Sequence, residues 1–483
     1  MHDFRMSDLL RTDGYKLSMA EAGYPLRRET FYYTHRRGGP GIWPLDTERA
    51  VRALLPLAIE EGTWTELARL GYPMGDGFRA AVTRGAALEI TSIPKGAWYL
   101  PGEPIFSITG PSALVSWLEP QVLMWAFRAQ VATAARVDPA ALAVAVREPS
   151  CPDEAEIVRS LCDDAGLALP AMTPVPDAYR DGARARAAAL VSALGTGERV
   201  FEVGLRAATC LAQHRLVLEG CRSAGVTRTS HVALAKELGM IAVGTMGHEH
   251  VQRFGSDEAA FRAMKERRPQ RSSFLLDTFD TLRSGIPTAL RVMADDPSAG
   301  DSVRYDSGDK EAQLRAVHAA AGARGLRPVH VLEDGFDLAL TEQFERVRAE
   351  LGIPADRMYY GYGGHLVGRA ALGRDRVAAV YKLSQSGTTA VMKFSDDAGK
   401  RSVPGRPVVF RRVRGAGPRG IVGQVGEPVP AGYALLSGAA SDPGDVPASP
   451  GDAMVALSEA TQALVARCES RRERVIEEAK EVS

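Results

Sequence analysis

Three short motifs place reactive residue types where they could act together. GTMGHEH (244–250) puts His248 directly after the apolar run MIAVGT (240–245). The helical zinc motif HExxH is not met, because Gln252 stands where the second His belongs. His248 and His250, two apart, diverge on a helix, so the pair is a poor metal site. A histidine at a strand end suits general acid/base or nucleophilic work instead. VRYDSGD (303–309) sets Arg304 and Asp306 two apart, on one face of a strand. Ser307 or Asp309 could simply cap a following helix. A buried cation beside a carboxylate, however, suits an anionic ligand and a sugar diol. GYGGHLVG (361–368) carries Leu366 where GxGxxG requires its third glycine, so a dinucleotide fold is disfavoured. Glycines that open a helix after a strand still cradle phosphate through backbone N–H groups. There is no Walker A motif, since Gly399-Lys400 is followed by Arg401.

These residues need a frame. From about 200 to 382, short apolar runs recur: MIAVGT, FLLDT (274–278), SVRYDSG (302–308), PVHVLEDG (328–335), MYYGYGG (358–364) and AAVYKL (378–383). Helix-like segments separate most of them, the pattern of β-α units around a parallel sheet. The runs end in His248, Asp277, Arg304 with Asp306, Asp334, and Gly363 with Gly364. In an α/β barrel the site collects at those C-terminal strand ends. Before this region, 29–41 and 87–111 read as twisted antiparallel strands, and 112–134 as an amphipathic helix kinked at Pro120. Residues 137–198 read as helices between proline breaks, with no chemistry visible. Residues 434–453 read as a loop, and 454–480 as a charged helix with a solvated face.

Composition narrows the function classes. The 483 residues hold 59 basic and 59 acidic side chains, which argues against bulk electrostatic binding of nucleic acid or anionic membrane. Hydrophobic residues at 45% and charged residues at 24% are those of a soluble globular protein. Five scattered cysteines with no CxxC spacing support neither a disulfide framework nor a cysteine zinc site. No apolar signal core opens the chain, and no run approaches the about 18 apolar residues of a membrane span. The expectation is a cytoplasmic protein that binds neither membrane nor nucleic acid.

Taken in order, TDGYKLSMAEAGY (12–24), FYYTHRR (31–37), PGEPIFSITGP (101–111), FEVGLR (201–206), GTMGHEH, LLDTFDT (275–281), VRYDSGD, EDGFD (333–337), GYGGHLV and VYKL…VMKFSDDAGKRSVPGR (380–406) resemble the nicotinate phosphoribosyltransferase family, and more distantly nicotinamide phosphoribosyltransferase. The resemblance implies an irregular α/β barrel of the type II phosphoribosyltransferase kind. An α+β domain built from both chain ends accompanies it. Residues 1–118 would form the N-terminal part, 119–382 the barrel with 137–198 as an elaboration, and 383–483 a C-terminal segment on the N-terminal domain. It further implies transfer of phosphoribosyl from 5-phosphoribosyl 1-pyrophosphate (PRPP) to nicotinate. Mg²⁺ would be required, carried by the pyrophosphate and not by direct protein ligands. ATP as co-substrate would act through a phosphohistidine, in a homodimer with shared sites.

Residue by residue, the resemblance casts His248 as the phosphorylated histidine, with Asp277 and Asp280 as acidic neighbours. It casts Tyr15, beside Asp13, as an aromatic stacking on the pyridine from the partner subunit. Arg206, Ser230, Ser273 and Arg304 fall near the ring and its substituent, and Asp306 near the ribose. Glu333, Asp334, Gly335, Gly363 and Gly364 would hold ribose and 5′-phosphate, and Arg36, Lys382 and Lys393 would face pyrophosphate. Val203 replaces a second stacking aromatic. RTSH (228–231) replaces the common GTSN, so Arg228 and His231 add a cation and an imidazole, while Gly247 and His365 are further departures. Amide-using relatives carry Asp where this chain has Ser230, which favours nicotinate over nicotinamide. Another pyridine, or a metabolite sensor, remains the competing reading.

Overall fold

The computed structural model describes residues 9–55, 59–83, 87–368, 371–394, 401–437 and 454–481. Of the sequence expectations, most of the 434–453 loop and residues 395–400 of the last motif lie outside these. At the centre is a seven-stranded parallel sheet. Its strands run in the order Ile241–Ala242, Arg228–Thr229, Val200–Glu202, Met358–Tyr362, Val329–Leu332, Ser302–Tyr305 and Ser273–Leu275. Helices such as Leu211–Ser223, Lys310–Gly322 and Leu338–Glu350 separate consecutive strands, as β-α alternation requires. Val303, Leu332, Met358 and Tyr360 are fully or almost fully buried, so both faces of the sheet are covered.

Two of the expected strand runs behave differently. MIAVGT contributes only Ile241–Ala242 at the sheet edge, and Ile241 is 54% exposed, so it is no buried strand. AAVYKL is not a barrel strand. Ala379–Ser386 pairs antiparallel with Arg28–His35, setting Lys382 opposite Tyr32. Six of its eight residues are buried, as in a parallel barrel strand, so only its antiparallel partner sets it apart. Phe106–Pro111 and Glu89–Ser92 continue that sheet, and Thr389–Ala390 closes its other edge.

Residues 112–132 are buried on every side, so the expected amphipathic helix is in fact interior. It is broken into Ser112–Trp117, Glu119–Leu123 and Trp125–Val137, with Pro120 in the first turn of the middle piece, where its missing N–H costs nothing. Trp125 packs against Trp43 and Phe106, and Tyr33 stacks on Phe106 at 4.9 Å. Each such ring contributes about 2–3 kcal/mol on burial, enough to fasten the antiparallel sheet to the interior helices.

The elaboration folds as Pro139–Ala145, Pro152–Asp164 and Pro176–Leu194, each with proline in its first turn. A four-stranded sheet of Tyr433–Leu435, Pro407–Arg412, Gly420–Gln424 and Val455–Leu457 is tied to the turn before strand Phe106–Pro111 through a buried Arg411–Glu103 pair at 2.7 Å. The terminal helix Glu459–Glu481 is more than a solvated face: Cys468, Val475, Ile476 and Ala479 are buried, and Arg472 donates to the Phe279 carbonyl at 2.7 Å.

Candidate active site

Every strand of the parallel sheet delivers a residue to one place just past its C-terminal end. In sheet order these include Thr245, Ser230, Arg206, Gly363, Glu333, Asp306 and Asp277. All but Asp277 border a cavity of about 650 Å³ or a small side chamber. Asp277 lies behind the cavity wall, bonded to what lines it.

One end of the cavity is a charge cluster. Arg304 bonds Asp306 at 2.9 Å and Glu333 at 3.2 Å, the same-face geometry expected for residues two apart on a strand. Lys393 lies 3.3 Å from Asp306 and 3.5 Å from Asp277. His248 Nε2 faces Asp306 at 3.3 Å and Asp277 at 3.8 Å, and Nδ1 is 3.1 Å from the Thr278 hydroxyl. Burial alone would raise the Asp306 carboxyl, but Lys393, His248 and Arg304 hold it well below the usual carboxylate range. Asp277 is lowered likewise, by Lys393 and His248 against burial. Burial, with Lys393, lowers the His248 imidazole, so it is neutral near pH 7. His250, on the same helix His248–Phe254, points into the core toward the Ala260 carbonyl, as the divergence argument requires.

Beside this cluster, strand Val329–Leu332 ends in Glu333, and the chain then turns through Asp334 (φ 61°) and Gly335 (φ 79°). A left-handed aspartate is strained by about 1 kcal/mol or more, the kind of cost that persists at ligand clamps. Strand Met358–Tyr362 runs into Gly363 and the short helix Gly364–Val367, placing both glycines on the cavity wall. Arg36 and Lys382 line the wall opposite. Burial brings the Lys382 ammonium down to about 7 against the pull of Glu119.

The other end is built on the N-terminal segment. Residues 12–15 lie backbone to backbone on 243–244: a Cβ on Gly14 would sit 2.2 Å from the Val243 carbonyl oxygen, and one on Gly244 2.2 Å from the Gly14 carbonyl carbon. Only glycine fits at either position. This contact delivers Tyr15 to the cavity of its own chain, with the Arg206 guanidinium 5.2 Å from its ring centre. Supply of Tyr15 from a partner subunit is therefore corrected: the same chain seats it. Its hydroxyl donates to Glu119, which also pairs with Lys16 at 2.5 Å. Asp13 pairs with Arg206 at 3.2 Å and accepts from the Ser230 hydroxyl at 2.6 Å. Burial raises the Asp13 carboxyl to about 6, with Arg206 and Ser230 opposing it.

Two expected site residues lie elsewhere. Asp280 caps the wide helical turn Thr281–Gly285 through Arg283 N–H and pairs with Arg472, so it does not neighbour His248. Ser273 opens its strand at the end away from the cavity, in register with Ser302 and not with Arg304. A β-strand rises about 3.3 Å per residue, so two residues of register carry it out of reach. His365 is half-buried beside the Tyr362 ring, and Arg228 donates to the Glu198 carbonyl on the strand's far side.

Reading the sequence missed three groups. Glu119, the lone acid in the apolar run SALVSWLEPQVLMWAF, reaches the cavity; an isolated charge in such a run was the available signal. Glu202 accepts from Gly204 N–H at 2.6 Å, the Thr229 hydroxyl at 2.7 Å and His214 Nε2 at 3.0 Å. His214 Nδ1 in turn meets His231 Nδ1 at 2.9 Å, all three residues being buried. Glu202 so fastens the turns that carry Arg206 and Ser230, which spacing alone does not reveal. The third group is a pair of cysteines, Cys151 and Cys210.

Comparison with known proteins agrees with the resemblance. No protein-family model matches the chain. It is 32% identical over 228 residues to a nicotinate phosphoribosyltransferase of Mycobacterium tuberculosis, covering 47% of each protein. Against the Bacillus subtilis nicotinate phosphoribosyltransferase it is 30% identical over 205 residues, 40% of this chain and 39% of that one. The matched part thus spans about half the length of these curated relatives or less. In structure it superposes on the Porphyromonas gingivalis nicotinate phosphoribosyltransferase with TM-score 0.57 at 17% identity, over 82% of this chain and 95% of that one. The Vibrio cholerae nicotinate phosphoribosyltransferase gives 0.57 at 16%, over 83% and 90%. Over these stretches the chain is similar in sequence to nicotinate phosphoribosyltransferases, and it has the type II phosphoribosyltransferase fold of the solved ones.

Proposed function

We propose, from that similarity and the cavity the fold frames, that the protein joins nicotinate to PRPP, giving nicotinate mononucleotide and pyrophosphate in NAD biosynthesis. One observation carries this reading: a single cavity has an arginine-flanked aromatic chamber at one end and phosphate-suited turns with Asp306 and Lys393 at the other, and Arg36 and Lys382 line the wall that joins them. Nicotinate would lie against Tyr15, its carboxylate toward Arg206 and Arg304. The 5′-phosphate would take backbone N–H groups of the Asp334-Gly335 and Gly363-Gly364 turns, and pyrophosphate would face Arg36, Lys382 and Lys393. As the C1–O bond to pyrophosphate loosens, positive charge grows on the ribose, and the ionised Asp306 stabilises it. The pyridine nitrogen is already nucleophilic and needs no base.

His248, Asp277 and Asp306 bring three donor atoms together. The Lys393 ammonium already lies between both carboxylates, which makes a poor cage for a resident cation. Mg²⁺ is therefore proposed to arrive on the pyrophosphate. ATP coupling is proposed to pass through His248. With Nε2–H toward Asp306, the Nδ1 lone pair is the nucleophile for a γ-phosphoryl group, and it gains freedom if the Thr278 hydroxyl swings away.

A second reading, nicotinamide as acceptor, is favoured by Asp13, whose carboxylate sits beside Ser230 in the side chamber, able to accept from an amide NH₂. Pyrophosphate release from PRPP with nicotinate, nicotinamide or quinolinate, each with and without ATP, separates the readings. Turnover with nicotinate, stimulated by ATP, is expected. Turnover with nicotinamide alone would reject the first reading.

A further inference from the structure

Outside the cavity, reactive side chains meet where the helical elaboration touches the segment that follows Arg206. Cys151 and Cys210, 59 positions apart, bring their Sγ atoms to 3.6 Å. Each immediately precedes a helix of 13 residues, Pro152–Asp164 and Leu211–Ser223. The Gln213 N–H donates to Cys210 Sγ at 3.5 Å, and the Ser150 hydroxyl lies 3.8 Å from Cys151 Sγ. Both thiols therefore sit at the positive ends of helix dipoles. The hydrogen bond with Cys210 lowers the Cys151 thiol from its ordinary value, with the Glu154 N–H and Ser150 adding to it against burial and the Glu154 carboxylate.

We propose that Cys151 and Cys210 are a redox-active pair that closes reversibly into a disulfide, tying the 137–198 elaboration to the turn that carries Arg206. Closure needs the sulfurs to approach from 3.6 Å to a bond of about 2.05 Å. The oxidant is a hydroperoxide, small enough to reach thiols that are only 3% and 2% exposed. The Cys151 thiolate attacks a peroxide oxygen; the O–O bond breaks, alcohol or water leaves, and Cys151 becomes a sulfenic acid. The Cys210 thiol then attacks that sulfur; the S–S bond forms, the S–O bond breaks, and water leaves with the thiol proton. Two electrons pass from the thiols to the peroxide. A dithiol reverses the sequence by exchange. Cys210 follows Ala207, which lines the cavity, and Arg206 by a few residues, so the approach of the sulfurs pulls on the ring end of the site. That consequence rests on the function proposed above; the disulfide does not.

The test uses the full chain treated with a small excess of hydrogen peroxide, then alkylated and mapped without reduction. A cross-linked peptide pair containing Cys151 and Cys210 is expected. Dithiothreitol should dissolve it, and neither Cys151→Ser nor Cys210→Ser should yield it. Cys162, Cys221 and Cys468 serve as internal controls. The oxidised parent should melt at least about 3 °C higher, and the serine variants should not shift. If Cys151 and Cys210 alkylate separately, or over-oxidise with no cross-link, the proposal is wrong. In an active preparation the cross-link should change the nicotinate KM at least threefold and leave the PRPP KM unmoved. A cross-linked protein with unchanged nicotinate KM would overturn the link to Arg206. A preparation without transferase activity would instead count against the proposed function, while the peptide map still decides the disulfide.

Discussion

The two ends of the cavity solve the problem of buried charge in opposite ways. At the Asp306 end, carboxylates from neighbouring strands share Lys393 and Arg304, and their acids are pushed down, so they stay ionised across the physiological range. At the Tyr15 end, groups delivered by distant segments leave Asp13 raised to about 6 and Lys382, on the adjoining wall, lowered to about 7. Strand ends of one sheet are rigid neighbours and can be charged permanently. At the Tyr15 end Lys16 and Lys382 hold Glu119 low against burial, and the groups that change state near neutral pH are Asp13 and Lys382. The signs follow. Asp13's folded value lies above 3.8, so its ionisation opposes folding increasingly as pH rises from 3.8 to about 6. Lys382's lies below 10.5, so its neutral form contributes stability that grows as pH rises from about 7 to 10.5.

The largest effect expected is at the rigid end. Asp306→Asn removes the carboxylate that Arg304, Lys393 and His248 share. If that charge faces the developing ribose cation, kcat in the folded variant should fall at least about a thousandfold, and the melting temperature should fall as well because buried Arg304 and Lys393 lose a shared partner. A loss below about tenfold would place Asp306 away from the reacting carbon.

Next comes the support of the soft end. Glu202→Ala strands the Gly204 N–H, the Thr229 hydroxyl and His214 without their acceptor. Leaving buried donors unpaired costs about 3 kcal/mol, readable by urea denaturation, and Glu202→Gln should cost less because it still accepts. Surviving Glu202→Gln enzyme should show a raised nicotinate KM and an unchanged PRPP KM. Equal rises in both would make Glu202 a general support rather than one for the ring end.

The same contrast explains what the sequence disclosed. Arg304 with Asp306, Asp334 and the two glycines were legible because strand periodicity and strand-end position determine where each lies, whereas Glu333 came only with the family resemblance. Ser273 misled because a match of residue type says nothing of which end of a strand it occupies; Ser302 beside it settles that. The 378–383 run was assigned to the wrong sheet because a short apolar strand looks alike in either, and only its partner, Arg28–His35, distinguishes them. Glu119, Glu202 with His214, and Cys151 with Cys210 depend on pairings across 59 or more positions, or on a register no local pattern encodes.

Ser230→Asp would put a second carboxylate beside Asp13, 2.6 Å from the present hydroxyl. Two carboxylates this close cannot both ionise cheaply, and either repels a bound carboxylate. The kcat/KM ratio of nicotinate over nicotinamide should fall at least about tenfold, or ~1.4 kcal/mol. An unchanged ratio in the folded variant would show that the ring substituent lies away from this chamber.

The smallest effect tests the soft wall itself. With Lys382 near 7, most of it is neutral at pH 8 before an anion arrives. Pyrophosphate bound against it favours the ammonium, since an opposite charge within about 4–6 Å stabilises the charged form. Binding at pH 8 should then draw a proton onto Lys382, between about 0.5 and 0.9 per site by the titration of a group near 7. At pH 6 the lysine is already charged and the uptake should fall to about 0.1. Calorimetry in two buffers of different ionisation enthalpy reads this as a difference between the parent and Lys382→Met, which cancels protons released by pyrophosphate itself. Equal proton counts in parent and Lys382→Met would mean that burial does not neutralise this lysine, and the contrast between the two ends would rest on Asp13 alone.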